Sequence, residues 1–94
     1  MGQSPTKVTI NTGSQHAPYT FQGTGCPESL GENSNGTCDF ITDAKIEVGF
    51  TQNGTNKTCT LTMSEQVVTP VSPACNLIIP GMQPISSGQP IQLQ

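Results

Sequence analysis

The chain has 94 residues, of which 32% are hydrophobic and 4% aromatic, and it has no tryptophan. This length makes a single domain, residues 1–94, with a thin hydrophobic core. The formal charge of −3 comes from six acidic residues and three lysines, with no arginine. Three separated lysines make no basic stripe, so nucleic acid and anionic membranes are unfavourable partners. No stretch reaches the roughly 18 apolar residues that a membrane-spanning helix needs.

Four cysteines, Cys26, Cys38, Cys59 and Cys75, are the strongest signal in the sequence. They are too widely spaced for the close ligand pairs of a structural zinc site, and no C-x-x-C redox motif occurs. Two disulfides are the better interpretation, because small domains need such cross-links and keep them in oxidising compartments. We therefore expect an extracellular or periplasmic, secreted protein. We predict pairing in sequence order, Cys26 with Cys38 and Cys59 with Cys75, because it closes the shortest loops. The two other pairings stay open, since loop-closure entropy rises only slowly with length.

The segments 44–50 and 57–63 alternate between apolar and polar residues, and Asn53-Gly54 lies between them. Asn-Gly is the favoured pair for a two-residue type I′ turn, because both central residues need positive φ angles. The sequence therefore predicts a β-hairpin with a fixed register. One face of it is apolar and pairs Val48 with Cys59, Ile46 with Leu61, and Ala44 with Met63.

Shorter strands are predicted elsewhere, separated by Gly, Pro, Asn and Ser. They are Lys7–Asn11, Tyr19–Gln22, Thr37–Ile41, Gln66–Thr69, Asn76–Ile79 and Pro90–Leu93. One turn of helix is predicted at Pro27–Leu30. The pattern indicates an all-β protein, a small antiparallel β-sandwich or barrel with two disulfides. Residues 1–6 are expected to be a flexible start, and residues 80–94 an extended edge segment rich in proline.

The sequence contains few of the features that are typical of a catalytic site. His16 is the only histidine, and it lies in a turn-like segment without a nucleophile motif, so a solvated loop histidine is the simpler interpretation. A calcium site around Glu32–Gly36 and Asp39 fails the EF-hand pattern, because Gly31 stands where the first acidic ligand belongs. We therefore expect no enzyme activity, no metal and no cofactor.

Polar loops remain as the candidate functional surface. The loop Gly31–Gly36 and the hairpin tip present amide side chains, and we expect binding through four of them: Asn33, Asn35, Gln52 and Asn56. The expected function is a secreted, non-catalytic binding or structural module whose partner is an extracellular protein or glycan. The C-terminal segment, Ile85–Leu93, offers a route to self-association by adding to a sheet edge, although pairing within its own domain is favoured.

Two further functions stay open. The first is a secreted effector or enzyme inhibitor that presents the 27–37 loop. The second is a small carbohydrate-binding domain that uses Tyr19, the only aromatic side chain with a polar tip. Three N-glycosylation sequons begin at Asn35, Asn53 and Asn56, but such triplets arise readily by chance in a chain rich in Asn and Thr.

Overall fold

The computed structural model describes residues 5–85 and 88–94. In these residues nine β-strands and one short 3₁₀-helix form, and there is no α-helix. The elements are β1 Thr6–Asn11, β2 Tyr19–Gln22, β3 Ser29–Leu30, β4 Asn35–Phe40, β5 Lys45–Gln52, β6 Thr55–Ser64, β7 Val67–Pro70, the 3₁₀-helix Pro73–Leu77, β8 Gln83–Pro84 and β9 Ile91–Gln92. The predicted all-β class is confirmed.

Two curled sheets make up the architecture. One has six strands in the order β3-β2-β5-β6-β7-β8 and is antiparallel throughout. The other has three strands in the order β4-β1-β9, in which β1 pairs antiparallel with β4 and parallel with β9. Together they form an elongated half-barrel of 44 × 24 × 22 Å. No helix in the described part of the chain is long and apolar enough to cross a membrane.

The predicted hairpin is β5 and β6, and its register is confirmed. Val48 lies opposite Cys59, and the ladder ends at the pair Gln52 and Thr55. Asn53 and Gly54 have φ angles of 51° and 78°, as a two-residue type I′ turn requires. The ladder begins at Lys45, one residue after Ala44, so the predicted pairing of Ala44 with Met63 lies just outside it.

The core lies between the inner faces of the two sheets. It is built from alternate residues of the strands, together with two isoleucines that follow the 3₁₀-helix. Its largest fully buried side chains are Tyr19, Phe40, Ile10, Ile46, Leu61, Ile78, Ile91 and Leu93. No charged side chain is buried among the described residues. The alternation in the two hairpin segments therefore assigns their inner face correctly, because Ile46, Val48, Cys59, Leu61 and Met63 are all buried.

Two disulfides reinforce this thin core, and both predicted pairs are confirmed. Cys26–Cys38 joins the segment between β2 and β3 to β4, and so fastens the six-stranded sheet to the three-stranded one. Cys59–Cys75 joins β6 to the 3₁₀-helix. Beside the first bridge, the Asp39 N–H donates to the Thr24 carbonyl at 2.9 Å, so a hydrogen bond and a disulfide join the same two segments.

Two predicted elements are wrong. Asn76–Ile79 is not a strand, since Asn76 belongs to the 3₁₀-helix that begins at Pro73 and is tied to β6 through Cys75. The predicted helical turn at Pro27–Leu30 is also absent, because Ser29–Leu30 forms β3 and pairs with β2. In both places a tertiary contact, which short local patterns do not contain, decides the conformation.

The chain ends are partly described. β1 already begins at Thr6, whereas residues 1–4 of the expected flexible start lie outside the described residues. In the C-terminal segment, β8 and β9 are edge strands of the six-stranded and three-stranded sheets. β9 pairs with β1 of its own domain through Ile10 with Ile91. Residues 86–87 of this segment lie outside the described residues.

Candidate binding site

One end of the three-stranded sheet carries a row of three side-chain amides. Asn11, at the end of β1, pairs with Asn35 of β4 on one side and with Gln92 of β9 on the other. Paired residues on neighbouring strands point to the same face, and the strands lie about 4.8 Å apart. Val8 and Ile10 are buried, so the alternation turns Asn11 outwards. We call these three residues the amide row.

The amide row forms the floor of a concave surface of about 300 Å³. Its other lining residues are Thr12, Asn33 and Ser34, from the end of β1 and the loop that precedes β4. All six lining residues are uncharged and carry amide or hydroxyl groups. Each amide supplies both donors and acceptors of hydrogen bonds, so the cavity can satisfy neutral polar groups of either kind.

The loop that forms one wall of this cavity is held by Thr12, whose exposed fraction is only 4%. The Thr12 hydroxyl donates to the Gly31 carbonyl at 2.6 Å and accepts a hydrogen bond from the Ser34 N–H at 2.9 Å. The Asn33 N–H donates to the Gly13 carbonyl at 3.2 Å. Asn33 has a positive φ of 49°, a conformation that Asn tolerates better than most residues. These contacts fix the loop that carries Asn33 against the end of β1.

Strand β9, which bears Gln92 of the amide row, is held in place by the residues that follow it. The Leu93 N–H donates to the Asn11 carbonyl at 2.8 Å, and the Gln94 N–H donates to the Ile78 carbonyl at 3.0 Å. The Tyr19 hydroxyl donates to the Gln94 carbonyl. Burial raises the pKa of Tyr19 to about 12. Tyr19 is therefore a core residue that holds Gln94, and its ring is not available as a surface platform for a sugar.

The four residues predicted to bind lie in two places. Asn33 and Asn35 line the amide cavity, whereas Gln52 and Asn56 lie beside the hairpin turn on the other sheet.

Sequence reasoning missed Asn11 and Gln92. Asn11 could have been found, because it is the next outward position after Lys7 and Thr9 in the alternation of β1. Gln92 could not, because its place depends on a parallel pairing between the two ends of the chain.

A second concave surface lies on the outer face of the six-stranded sheet. It consists of two adjoining hollows of about 360 and 340 Å³ that share Thr20, Gly49 and Thr58. These three residues are in register on β2, β5 and β6, so the missing side chain of Gly49 leaves a groove between two threonines. A Cβ at Gly49 would collide with the Thr20 hydroxyl. A side chain at this position would therefore force the Thr20 side chain to move.

Charged residues mark the two ends of this groove. Glu28 and Glu47 line one hollow, and Lys57 lines the other together with Asn56. Of the four predicted binding residues, only Asn56 contributes to it. The groove thus combines threonine methyl and hydroxyl groups at its centre with opposite charges at its ends.

His16 makes structural contacts. Its Nδ1 lies 3.1 Å from the Thr51 carbonyl oxygen, to which the ring can donate, and its ring packs edge-on against Phe50 with centroids 5.4 Å apart. Among the described residues, no hydroxyl or thiol hydrogen-bonds to this ring. The histidine thereby ties the loop after β1 to the end of β5.

No protein-family model, curated protein or solved structure matches this chain. Among its concave surfaces, the amide cavity is the one that contains two of the predicted binding residues, Asn33 and Asn35.

Proposed function

We propose that this protein is an extracellular, non-catalytic binding module that recognises a neutral, hydroxyl-rich ligand, a neutral glycan, at the amide row. The alignment of Asn35, Asn11 and Gln92 across three neighbouring strands is the observation that carries the proposal. Three amides at regular intervals can meet successive polar groups of an extended ligand that crosses the strands. A protein surface is the competing class of partner.

The chemistry of the cavity favours a glycan. Sugar hydroxyls donate and accept hydrogen bonds, as do the side-chain amides of Asn and Gln. All six lining residues are uncharged, so binding a neutral ligand leaves no charge desolvated and unpaired. The cavity has no aromatic lining residue, and its hydrogen bonds compete with water. We therefore expect weak binding of single oligosaccharides through a wet interface.

The rigidity of the site also supports binding. Thr12 fixes the loop that bears Asn33, while the contacts of Leu93 and Gln94 fix the strand that bears Gln92. A site whose backbone is already ordered loses less conformational entropy when a ligand binds. This arrangement compensates in part for the modest strength of each neutral hydrogen bond.

An extracellular location is supported by the two disulfides. Two such bridges in a small domain are compatible with an oxidising compartment.

A non-catalytic role is supported by the titratable groups in the structure. Tyr19 hydrogen-bonds to the C-terminal carbonyl, and His16 contacts a backbone carbonyl and Phe50. Both therefore have structural roles, which leave neither poised as an acid or base in a pocket.

The proposal can be tested by nuclear magnetic resonance. The side-chain amide signals of Asn11, Asn35 and Gln92 are recorded while neutral gluco-, manno- and chito-oligosaccharides are added to high concentration. At least one series should shift these signals in a saturable manner. Asn35→Ala should weaken the effect, whereas Asn76→Ala, an exposed position on the 3₁₀-helix that lines neither concave surface, should not.

The same titration separates the alternatives. Saturable shifts confined to Thr20, Gly49 and Thr58 would contradict the amide row and move the glycan site to the groove. If no oligosaccharide shifts any signal, the glycan proposal is wrong. An inhibitor would instead respond to added hydrolases through residues 27–37, and a structural subunit would form polymers whose size grows with protein concentration.

A further inference from the structure

Two identical tripeptides, Asn-Gly-Thr, occur at residues 35–37 and 53–55. Glycine after asparagine offers the least steric resistance to attack of the following backbone nitrogen on the side-chain amide. Each asparagine is followed by Gly-Thr, and both asparagines are exposed. A large difference in their reactivity would therefore come from the fold.

The first copy is held in a β-ladder. Gly36 lies opposite Ile10 in the pairing of β1 with β4. The Thr12 N–H donates to the Ser34 carbonyl at 2.8 Å, and hydrogen-bonded pairs recur every two residues in an antiparallel ladder. The pair Ile10 and Gly36 is thus hydrogen-bonded, which keeps the Gly36 nitrogen in the ladder. Freeing it would pull apart strands that the disulfide at Cys38 also anchors.

The second copy lies at the tip of the hairpin. Asn53 and Gly54 are the two central residues of the turn, beyond the last ladder pair, Gln52 with Thr55. Their nitrogens take no part in the β5–β6 ladder, and the space around Gly54 is open. Opening the turn to bring the Gly54 nitrogen towards the Asn53 side chain disrupts only that last pair. Local opening of this kind costs the least free energy at exposed tips.

We propose that Asn53 is a site of spontaneous deamidation, whereas Asn35 is protected from the same reaction by its strand. The Gly54 nitrogen attacks Cγ of Asn53 to form a C–N bond, the Cγ–Nδ2 bond breaks, and the proton leaves with ammonia. Water then opens the resulting five-membered succinimide at either carbonyl. The products are aspartate and isoaspartate at position 53, with no net oxidation or reduction.

The modification alters the hairpin tip in two ways. It adds one negative charge to the formal −3 of the chain, between the predicted binding residues Gln52 and Asn56. In the isoaspartate form the backbone gains one carbon, so a two-residue turn no longer matches the twist of the strands. The tip therefore becomes more acidic and less ordered as the protein ages.

The experiment compares the two tripeptides within one chain. The native protein and a reduced, alkylated, unfolded sample are incubated at mildly alkaline pH and then digested with trypsin at a lower pH. Cleavage at Lys7, Lys45 and Lys57 places Asn35 in fragment 8–45 and Asn53 in fragment 46–57. Mass spectrometry with fragmentation measures each conversion and distinguishes Asn53 from Asn56, and isoaspartyl methyltransferase detects isoaspartate.

In the native protein, Asn53 should convert at least about ten-fold faster than Asn35, because only its site opens locally. In the unfolded sample the two rates should be similar, since both asparagines are followed by the same residues, Gly-Thr. Equal native rates, or faster conversion at Asn35, would overturn the proposal. Unequal rates in the unfolded sample that match the native ratio would overturn it too, because the fold would then not be the cause.

Discussion

Thr12 and Ser34 are joined by two reciprocal hydrogen bonds. The Thr12 N–H donates to the Ser34 carbonyl at 2.8 Å, and the Ser34 N–H donates to the Thr12 hydroxyl at 2.9 Å. The pair extends the β1–β4 ladder into the loop before β4, with the hydroxyl in place of a backbone carbonyl. The buried Thr12 side chain thus fixes the loop that forms one wall of the amide cavity.

Replacing Thr12 with valine should therefore destabilise the protein. The change keeps the shape but leaves the Gly31 carbonyl and the Ser34 N–H without their partner, at a cost of about 1–3 kcal/mol. Thr9→Val is the matched control, because Thr9 is exposed on the same strand. Urea unfolding compares the two variants. Equal stability of T12V and T9V would show that the hydroxyl does not hold the loop.

The hairpin turn gives a second prediction. Gly54→Val should lower the free energy of unfolding by about 1–3 kcal/mol, because a β-branched residue resists the φ of 78°. No atom lies near the added side chain, so packing is not the cause. Thr55→Val, one residue further on at an exposed strand position, should be nearly neutral. If G54V melts with the parent protein, the role assigned to the turn is wrong.

The sequence predicted the parts of the fold that depend on local patterns. The hairpin register follows from alternation and the Asn-Gly turn, and the observed disulfides are the one pairing of three that closes the shortest loops. It did not predict β3 or the parallel pairing of β9 with β1, because two-residue strands exist only through their tertiary partners. The same limit applies to the site. Asn33 and Asn35 can be recognised in the sequence as amides of a polar loop. Gln92 lies beside them only because β9 pairs with β1.

The disulfides are expected to be essential for stability. The bridge Cys59–Cys75 spans a sequence separation of 16 residues, and the paired change Cys59→Ala with Cys75→Ala should cost about 3 kcal/mol. Calorimetry measures the loss.

Tryptic digestion without reduction checks the pairing, because fragments 8–45 and 58–94 each contain one whole bridge. A product that links these two fragments would contradict it.

The buried Tyr19 side chain should make the folded protein less stable at high pH. Burial raises its pKa from 10.0 to about 12, so the folded state holds the phenol proton more tightly than the unfolded state. Its contribution is fully present below pH 10 and is lost as the pH rises towards about 12. The chain has one tyrosine, so tyrosinate absorbance follows this group alone. Tyr19→Phe should remove that part of the pH dependence, and an unchanged profile would contradict the assignment.

The proposed binding of a glycan by surface amides is tested most directly by a dissociation constant. It is measured for the oligosaccharide that shifts the side-chain amide signals. The four-fold change Asn33→Gly, Asn35→Ala, Gln52→Ala and Asn56→Ala should weaken binding while the melting temperature stays nearly constant, because all four side chains lie at the surface or in a surface cavity and glycine tolerates the positive φ of position 33. Asn76→Ala should bind as the parent protein does. Unchanged affinity in the folded four-fold variant would contradict the account.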